Sequence, residues 1–235
     1  IMCVCCSDMN IISRADSMLS NFSFVWEKEK KTYVPVGAAF IYQCKPDKKE
    51  IYKIHKIWAK SFSVQTGVIH WEDKNEIYSI GNDDGKIYCF KAVPNTHYLQ
   101  QTQIAEFSYH TDRVMGLAVE PTSLNLYSCS TDKTFYVTNL NNQSQDAGIM
   151  IRYGKSGYTN LKLDVTNQRV FLTNESGDLS VYTITTFPPT MLINLQTSSK
   201  SSIRAFHLDN KNNLIYTGNV DGRICIMNLG APGKE

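Results

Sequence analysis

Asp84-Gly-Lys-Ile-Tyr-Cys-Phe90, Asp132-Lys-Thr-Phe-Tyr-Val-Thr138, Ser176-Gly-Asp-Leu-Ser-Val-Tyr182 and Asp221-Gly-Arg-Ile-Cys-Ile-Met227 are four copies of one pattern. Each opens on a small turn and runs into an alternating apolar strand, and their starts lie 48, 44 and 45 residues apart. A second apolar run stands before each copy: Ile77-Tyr-Ser-Ile80, Leu126-Tyr-Ser-Cys129, Val170-Phe-Leu-Thr173 and Leu214-Ile-Tyr-Thr217. Two such runs around a short polar turn read as antiparallel strands. Further upstream lies another strand: Val68-Ile-His-Trp71, Val114-Met-Gly-Leu-Ala-Val119, Leu161-Lys-Leu-Asp-Val165 and Ile203-Arg-Ala-Phe-His-Leu208.

About four strands every ~40–45 residues, with no amphipathic helix between them, is the period of an all-β propeller. The N-terminal third fits the template loosely. Met2–Cys5, Ile11–Arg14 and Phe22-Ser-Phe-Val-Trp26 read as a first blade closing on Trp26, followed by an insertion over about 28–60. One domain over 1–235 is expected, with blades near 1–27, 34–92, 104–140, 148–185 and 191–230. Seven units would take about 300 residues. The expected disc is therefore five-bladed, closed by another chain, or part of a seven-bladed one.

Twenty-four basic against 22 acidic residues give a net charge of +2 over 235 residues, so no strong field points at nucleic acid or anionic lipid. No apolar run approaches the ~18 residues that span a bilayer. The first residues lack the basic flank and apolar stretch of a secretory signal, so a cytoplasmic or otherwise intracellular address is expected. Seven cysteines (3, 5, 6, 44, 89, 129 and 225) are odd in number and scattered, which argues against a disulfide framework. Cys3, Cys5 and Cys6 have no second cysteine pair with which to complete a zinc site, and strand packing is the preferred reading. No metal and no cofactor is expected.

The segment from Tyr109 to Leu140 resembles one WD repeat: His110, then Val114 and Leu117-Ala-Val119, then Ser128, then Asp132 six residues before the closing position. In that family His, Ser or Thr, Asp and a closing Trp form a buried hydrogen-bonded relay. The resemblance assigns a structural relay to His110, Ser128 and Asp132, while Thr138 stands where the Trp would be. Beyond the generic repeat, residues 156–235 resemble the propeller of the WD-repeat and FYVE-domain-containing proteins, in Gly157-Tyr-Thr-Asn-Leu-Lys-Leu-Asp-Val-Thr-Asn-Gln-Arg-Val-Phe-Leu172, Ser176-Gly-Asp-Leu-Ser-Val181 and Met227-Asn-Leu-Gly230. That family binds phosphoinositide through a FYVE zinc module. The sequence holds one Cys-x-x-Cys spacing, Cys3 to Cys6, and no second one, so the lipid-binding activity is not carried over.

His110, Ser128 and Asp132 are also the residue types of a hydrolase triad, but the relay position is buried, whereas a nucleophile must face a substrate and oxyanion donors. Gly81-Asn-Asp-Asp-Gly85 has turn spacing rather than that of a phosphate loop. The mixed-sign runs 27–31 and 45–49 read as solvated hairpin tips. Trp58, Trp71, Tyr98 and Phe107 read as core aromatics, and as anchors if exposed on one rim.

Propeller loops vary without disturbing the blades, so the expected function is a non-catalytic protein-interaction scaffold, a subunit of a larger assembly. In WD repeats the residue before the turn aspartate projects from one face. The expected partner-contacting rim is Asp83, Arg113, Thr131 and Glu175. The alternative is an endosomal adaptor whose FYVE module lies outside this sequence. Expected partners are other proteins, with no direct nucleic acid, no transmembrane segment, and membrane contact only through a missing module or a partner.

Overall fold

The computed structural model describes strand backbone from Val4 onward, and side chains at residue 77 and over residues 79–90, 103–142, 144 and 147–229. Every regular element in it is a β-strand. β1 (Val4–Ser7) and β2 (Asn10–Ala15) are followed by a separate hairpin of β3 (Ser23–Glu27) and β4 (Thr32–Val36), then by β5 (Ala38–Lys45) and β6 (Glu50–Trp58). The first sheet has the order β1-β2-β5-β6.

The second sheet is β7 (Val64–Glu72), β8 (Asn75–Asn82), β9 (Ile87–Ala92) and β10 (Gln101–Phe107). Next come β11 (Val114–Glu120), β12 (Asn125–Ser130), β13 (Thr134–Asn139) and β14 (Ile149–Tyr153). The fourth holds β15 (Tyr158–Asp164), β16 (Arg169–Asn174), β17 (Asp178–Thr183) and β18 (Thr190–Gln196). The fifth has three strands, β19 (Ile203–Asp209), β20 (Leu214–Asn219) and β21 (Ile224–Asn228). All are antiparallel meanders, and the first strands β7, β11, β15 and β19 pack in sequence, each on the next.

The third and fourth sheets bury both faces because their inner strands alternate. In the third sheet Leu117, Val119 and Leu126 turn toward the second, beside Ile87, Cys89 and Phe107. Ala118, Tyr127, Cys129, Phe135 and Val137 turn the other way, onto Tyr158, Leu161, Val170 and Leu172 of the fourth. Phe171, Leu179 and Val181 of the fourth meet Ile203, Phe206 and Ile215 of the fifth. Period-two alternation supplies two apolar faces per strand, so the core is a series of layers between sheets.

Two expectations are corrected. Phe22–Trp26 is not the third strand of a first blade ending at 27: β3 pairs with β4, while β2 pairs with β5 from Asn10↔Gln43 to Ala15↔Ala38. The first sheet thus spans 4–58, and the insertion is the hairpin 23–36 rather than 28–60. Eight-residue β5 pairs with all six residues of β2, a longer ladder than five-residue β3 could offer. The boundaries near 34–92, 104–140, 148–185 and 191–230 are likewise offset from the sheets, which run 64–107, 114–153, 158–196 and 203–228. The repeats near 104–140, 148–185 and 191–230 begin at the outermost strand of the sheet before, β10, β14 and β18.

Candidate functional site

The turns between the second and third strands fall at one end of the sheets. Their tightest residue has positive φ: Gly85 (83°), Lys133 (73°), Gly177 (81°) and Gly222 (80°). Glycine tolerates that region without cost, and Lys133 is the exception. Two residues earlier stand Asp83, Thr131 and Glu175, so three of the four expected rim residues occupy equivalent positions on successive sheets. Arg113 joins them through its carbonyl, which accepts the Thr131 amide at 3.0 Å. Glu175 donates its amide to Gly157 in the same way, at 2.9 Å. Arg113 and Glu175 are exposed, and Asp83 and Thr131 half-buried.

The loop before β11 carries the relay. His110 Nε2 lies 2.9 Å from Ser128 Oγ on β12, and Nδ1 lies 2.7 Å from Thr134 Oγ1 on β13 and 3.3 Å from Asp132 Oδ2. The Thr134 hydroxyl donates to Asp132 Oδ1, as does the Thr134 amide at 2.8 Å, and the Thr111 amide donates to Oδ2 at 2.8 Å. The structure therefore joins His110, Ser128 and Asp132, and adds Thr134 between histidine and aspartate.

Thr138, in place of the Trp, donates to the Tyr109 hydroxyl at 2.7 Å, and that hydroxyl lies 3.4 Å from Ser128 Oγ. Tyr109 thus fills the gap from the neighbouring chain position, its ring stacked on Tyr136 with centroids 4.4 Å apart. With the Thr134 hydroxyl committed to the carboxylate, its oxygen accepts from His110 Nδ1–H. Nε2 then accepts from Ser128, Ser128 from Tyr109, and Tyr109 from Thr138. All donors point one way, toward Asp132. A chain so ordered polarises along its length and leaves no buried donor unmatched.

Burial alone would raise the Asp132 carboxyl, but the hydrogen bonds from His110, Thr134 and Thr111 outweigh it and hold it well below the usual carboxylate range. Burial pushes the Tyr109 phenol well above its ordinary value. Ser128 is 0% and His110 3% exposed, whereas a nucleophile must face its substrate. The relay's hydrogen bonds tie the loop 108–113 to β12, to β13 and to the turn between them.

Cys89 and Cys129 are buried thiols without disulfide partners, and burial pushes Cys89 up to about 12. Phe107 lies in the core. The side chains of Trp58, Trp71, Tyr98, Cys3, Cys5 and Cys6, and the charged runs 27–31 and 45–49, lie outside the described residues. Among the described residues no three His, Cys, Asp or Glu side chains cluster to hold a metal ion, and no helix is long and apolar enough to cross a membrane.

Stacked four-stranded meanders with a His-Ser-Asp relay at the loop end define a β-propeller of WD type. Consistent with this, residues 101–139 match the family described as WD domain, G-beta repeat, from the first residue of β10 to the last of β13. No curated protein matches the chain, so the likeness of 156–235 to the WD-and-FYVE proteins stays one of short phrases.

Among solved structures, Sqt1 from Chaetomium thermophilum superposes with a TM-score of 0.62 at 14% identity, over 82% of this chain and 52% of that one. Saccharomyces cerevisiae Sqt1 gives 0.66 at 14%, over 92% and 68%. Chaetomium thermophilum Sqt1 bound to the N-terminus of the ribosomal protein L10 gives 0.66 at 12%, over 92% and 68%. The chain thus spans about half the length of the first of these. At such identity the likeness speaks for the fold, which 1103 solved chains share and which therefore names no partner.

Proposed function

We propose that the chain is a non-catalytic protein-docking scaffold, a subunit of a larger assembly, which meets its partners across the rim of Asp83, Arg113, Thr131 and Glu175. The observation that carries this is the fixing of that rim. Its turns and loops are tied by backbone hydrogen bonds, and under blade three by a relay that spends buried polar groups on rigidity alone. Preorganised loops with exposed side chains lower the ordering cost of binding. The solved Sqt1 bound to a ribosomal-protein N-terminus shows a propeller of this type engaging a protein segment, which supports the reading by analogy. A cytoplasmic address accords with it.

The finer alternative, an endosomal adaptor of FYVE type, rests only on the phrases of 156–235. The test is co-purification of the native protein with mass spectrometry, comparing wild type with a combined Asp83→Lys, Arg113→Glu, Thr131→Lys, Glu175→Lys variant. Partners retained by the variant would count against the rim, and a lone monomer in the wild-type preparation would sink the scaffold.

A further inference from the structure

From the second sheet to the fifth, the first strand ends in an acidic residue: Glu72, Glu120, Asp164 and Asp209. In the fourth sheet that residue has a cation of its own. Arg169 stands across the ladder from Asp164 and donates from its guanidinium to Asp164 Oδ2 at 3.0 Å. The same guanidinium lies 5.5 Å from the ring centre of Phe171, two residues along β16. Carboxylate and ring hold it together, the first by charge-assisted hydrogen bonding and the second through its electron-rich face.

The third sheet repeats this cradle with an asparagine in place of the arginine. Glu120 stands across from Asn125, and Tyr127 lies two residues along β12. Asn125 turns its side-chain oxygen to Asn139, whose Nδ2 donates to it at 2.9 Å. Glu120 is 6% exposed and accepts the amides of Thr122 at 3.1 Å and Ser123 at 2.6 Å. Burial alone would raise its carboxyl, but these hydrogen bonds outweigh it and hold it below the ordinary value, so it is charged at neutral pH. Among the described residues no cationic side chain pairs with it. Asp209, its counterpart in the fifth sheet, is only half-buried, so water can serve it.

A cleft of about 350 Å³ opens at this place, at the end of the sheets opposite the rim. Glu120, Asn125 and Tyr127 line it from the third sheet, and Ile184 and Phe187 from the loop between β17 and β18. Phe187 is 60% exposed, so its ring is offered to whatever enters. A further sheet of the array would add at its side, beyond the fifth, whereas this cleft opens at the end of two sheets that both have neighbours. We propose that the cleft binds the guanidinium of an arginine side chain presented by a partner polypeptide, held by the Glu120 carboxylate and the rings of Tyr127 and Phe187. The inference rests on the protein-docking reading and gives it a second face and a ligand chemistry.

The test titrates Nα-acetyl-arginine amide into the isotope-labelled full chain and follows the backbone amide signals by NMR. The Thr122 and Ser123 amides, which end on the carboxylate, should shift saturably. Nα-acetyl-citrulline amide, the neutral isostere, should bind about tenfold more weakly or worse, and Nα-acetyl-lysine amide, a point charge without the planar fork, several-fold more weakly. Asn125→Arg builds the fourth-sheet arrangement into the third and should abolish the shifts. Glu120→Gln should weaken binding about tenfold. Phe187→Ala, at an exposed position where the fold has little to lose, should weaken it about threefold.

Unmoved Thr122 and Ser123 amides, an equal response to the citrulline or lysine probe, or binding indifferent to Asn125→Arg and Phe187→Ala would overturn the proposal. In native co-purification, Asn125→Arg should lose an arginine-bearing partner that the four-residue rim variant keeps, and a partner set identical to wild type would overturn the assignment to a partner. The titration needs no partner, so a lone monomer in the wild-type preparation would sink the docking reading while a saturable, arginine-selective shift still upheld the chemistry of the cleft.

Discussion

Tyr109 turns a degenerate repeat into a complete one. The hydroxyl it places between Ser128 and Thr138 has no counterpart in the His-Ser-Asp pattern, so a reading of repeat positions stops at Thr138 and finds nothing. Tyr109→Phe should cost about 1–2 kcal/mol in urea unfolding, the loss of a buried hydrogen bond with its partners left behind. Thr138→Val should cost less, and the double variant less than the sum. Simple additivity would mean the two groups do not act together.

Asp132 supplies the second test. Its folded-state carboxyl lies below the unfolded value, so its contribution is fully present above the ordinary carboxylate range and fades as pH falls below about 4. Asp132→Asn should therefore be less stable than wild type at neutral pH, with the gap closing on acidification. A pH series of denaturation midpoints reads this directly, and a constant gap would refute it. His110, Ser128 and Asp132 were legible because polar residues at fixed repeat offsets are rare in apolar strands. Thr134 and Tyr109 were not, since a threonine after a turn and a tyrosine before a histidine carry no pattern of their own.

Among the elements, the turns show how close packing and conformation act together. Gly177→Ala places a methyl against the loop 197–202 at positive φ, and should cost about 2–4 kcal/mol. Gly222→Ala meets no atom within 4 Å among the described residues and should cost only the conformational part, about 1 kcal/mol. Equal melting losses would contradict the difference in packing. Lys133→Gly relieves the one lysine in this series and should raise stability by up to about 1 kcal/mol.

Strand existence was legible throughout the repeats because one or both faces are buried and the alternation survives. The outer strands were harder. β18 exposes Met191, Leu192 and Ile193, so its sequence carries no inside-outside rhythm to read. In the first sheet the apolar run 22–26 announces a strand but not its partner, and only pairing distinguishes a third strand from an inserted hairpin.

For the molecule as a whole, the layers between sheets hold the stability. Leu179→Ala empties a site walled by the fifth sheet and should cost about 2–5 kcal/mol, whereas Ile224→Ala at the equivalent exposed position should stay within about 0.5 kcal/mol. Differential scanning calorimetry of the two variants decides it, and parity would mean that the fifth sheet's outer face is covered in solution.

The repeat matched at 101–139 is also a mechanical unit. It leaves β10 on the rim of one sheet and β11 to β13 in the next, joined by the loop 108–113 that His110 pins to β12 and β13. A pull arriving along the chain at β11 would otherwise peel β10 from β9 one rung at a time. The histidine passes that load to the middle of its own sheet instead, so the relay works as a clasp between neighbours as much as a brace within one.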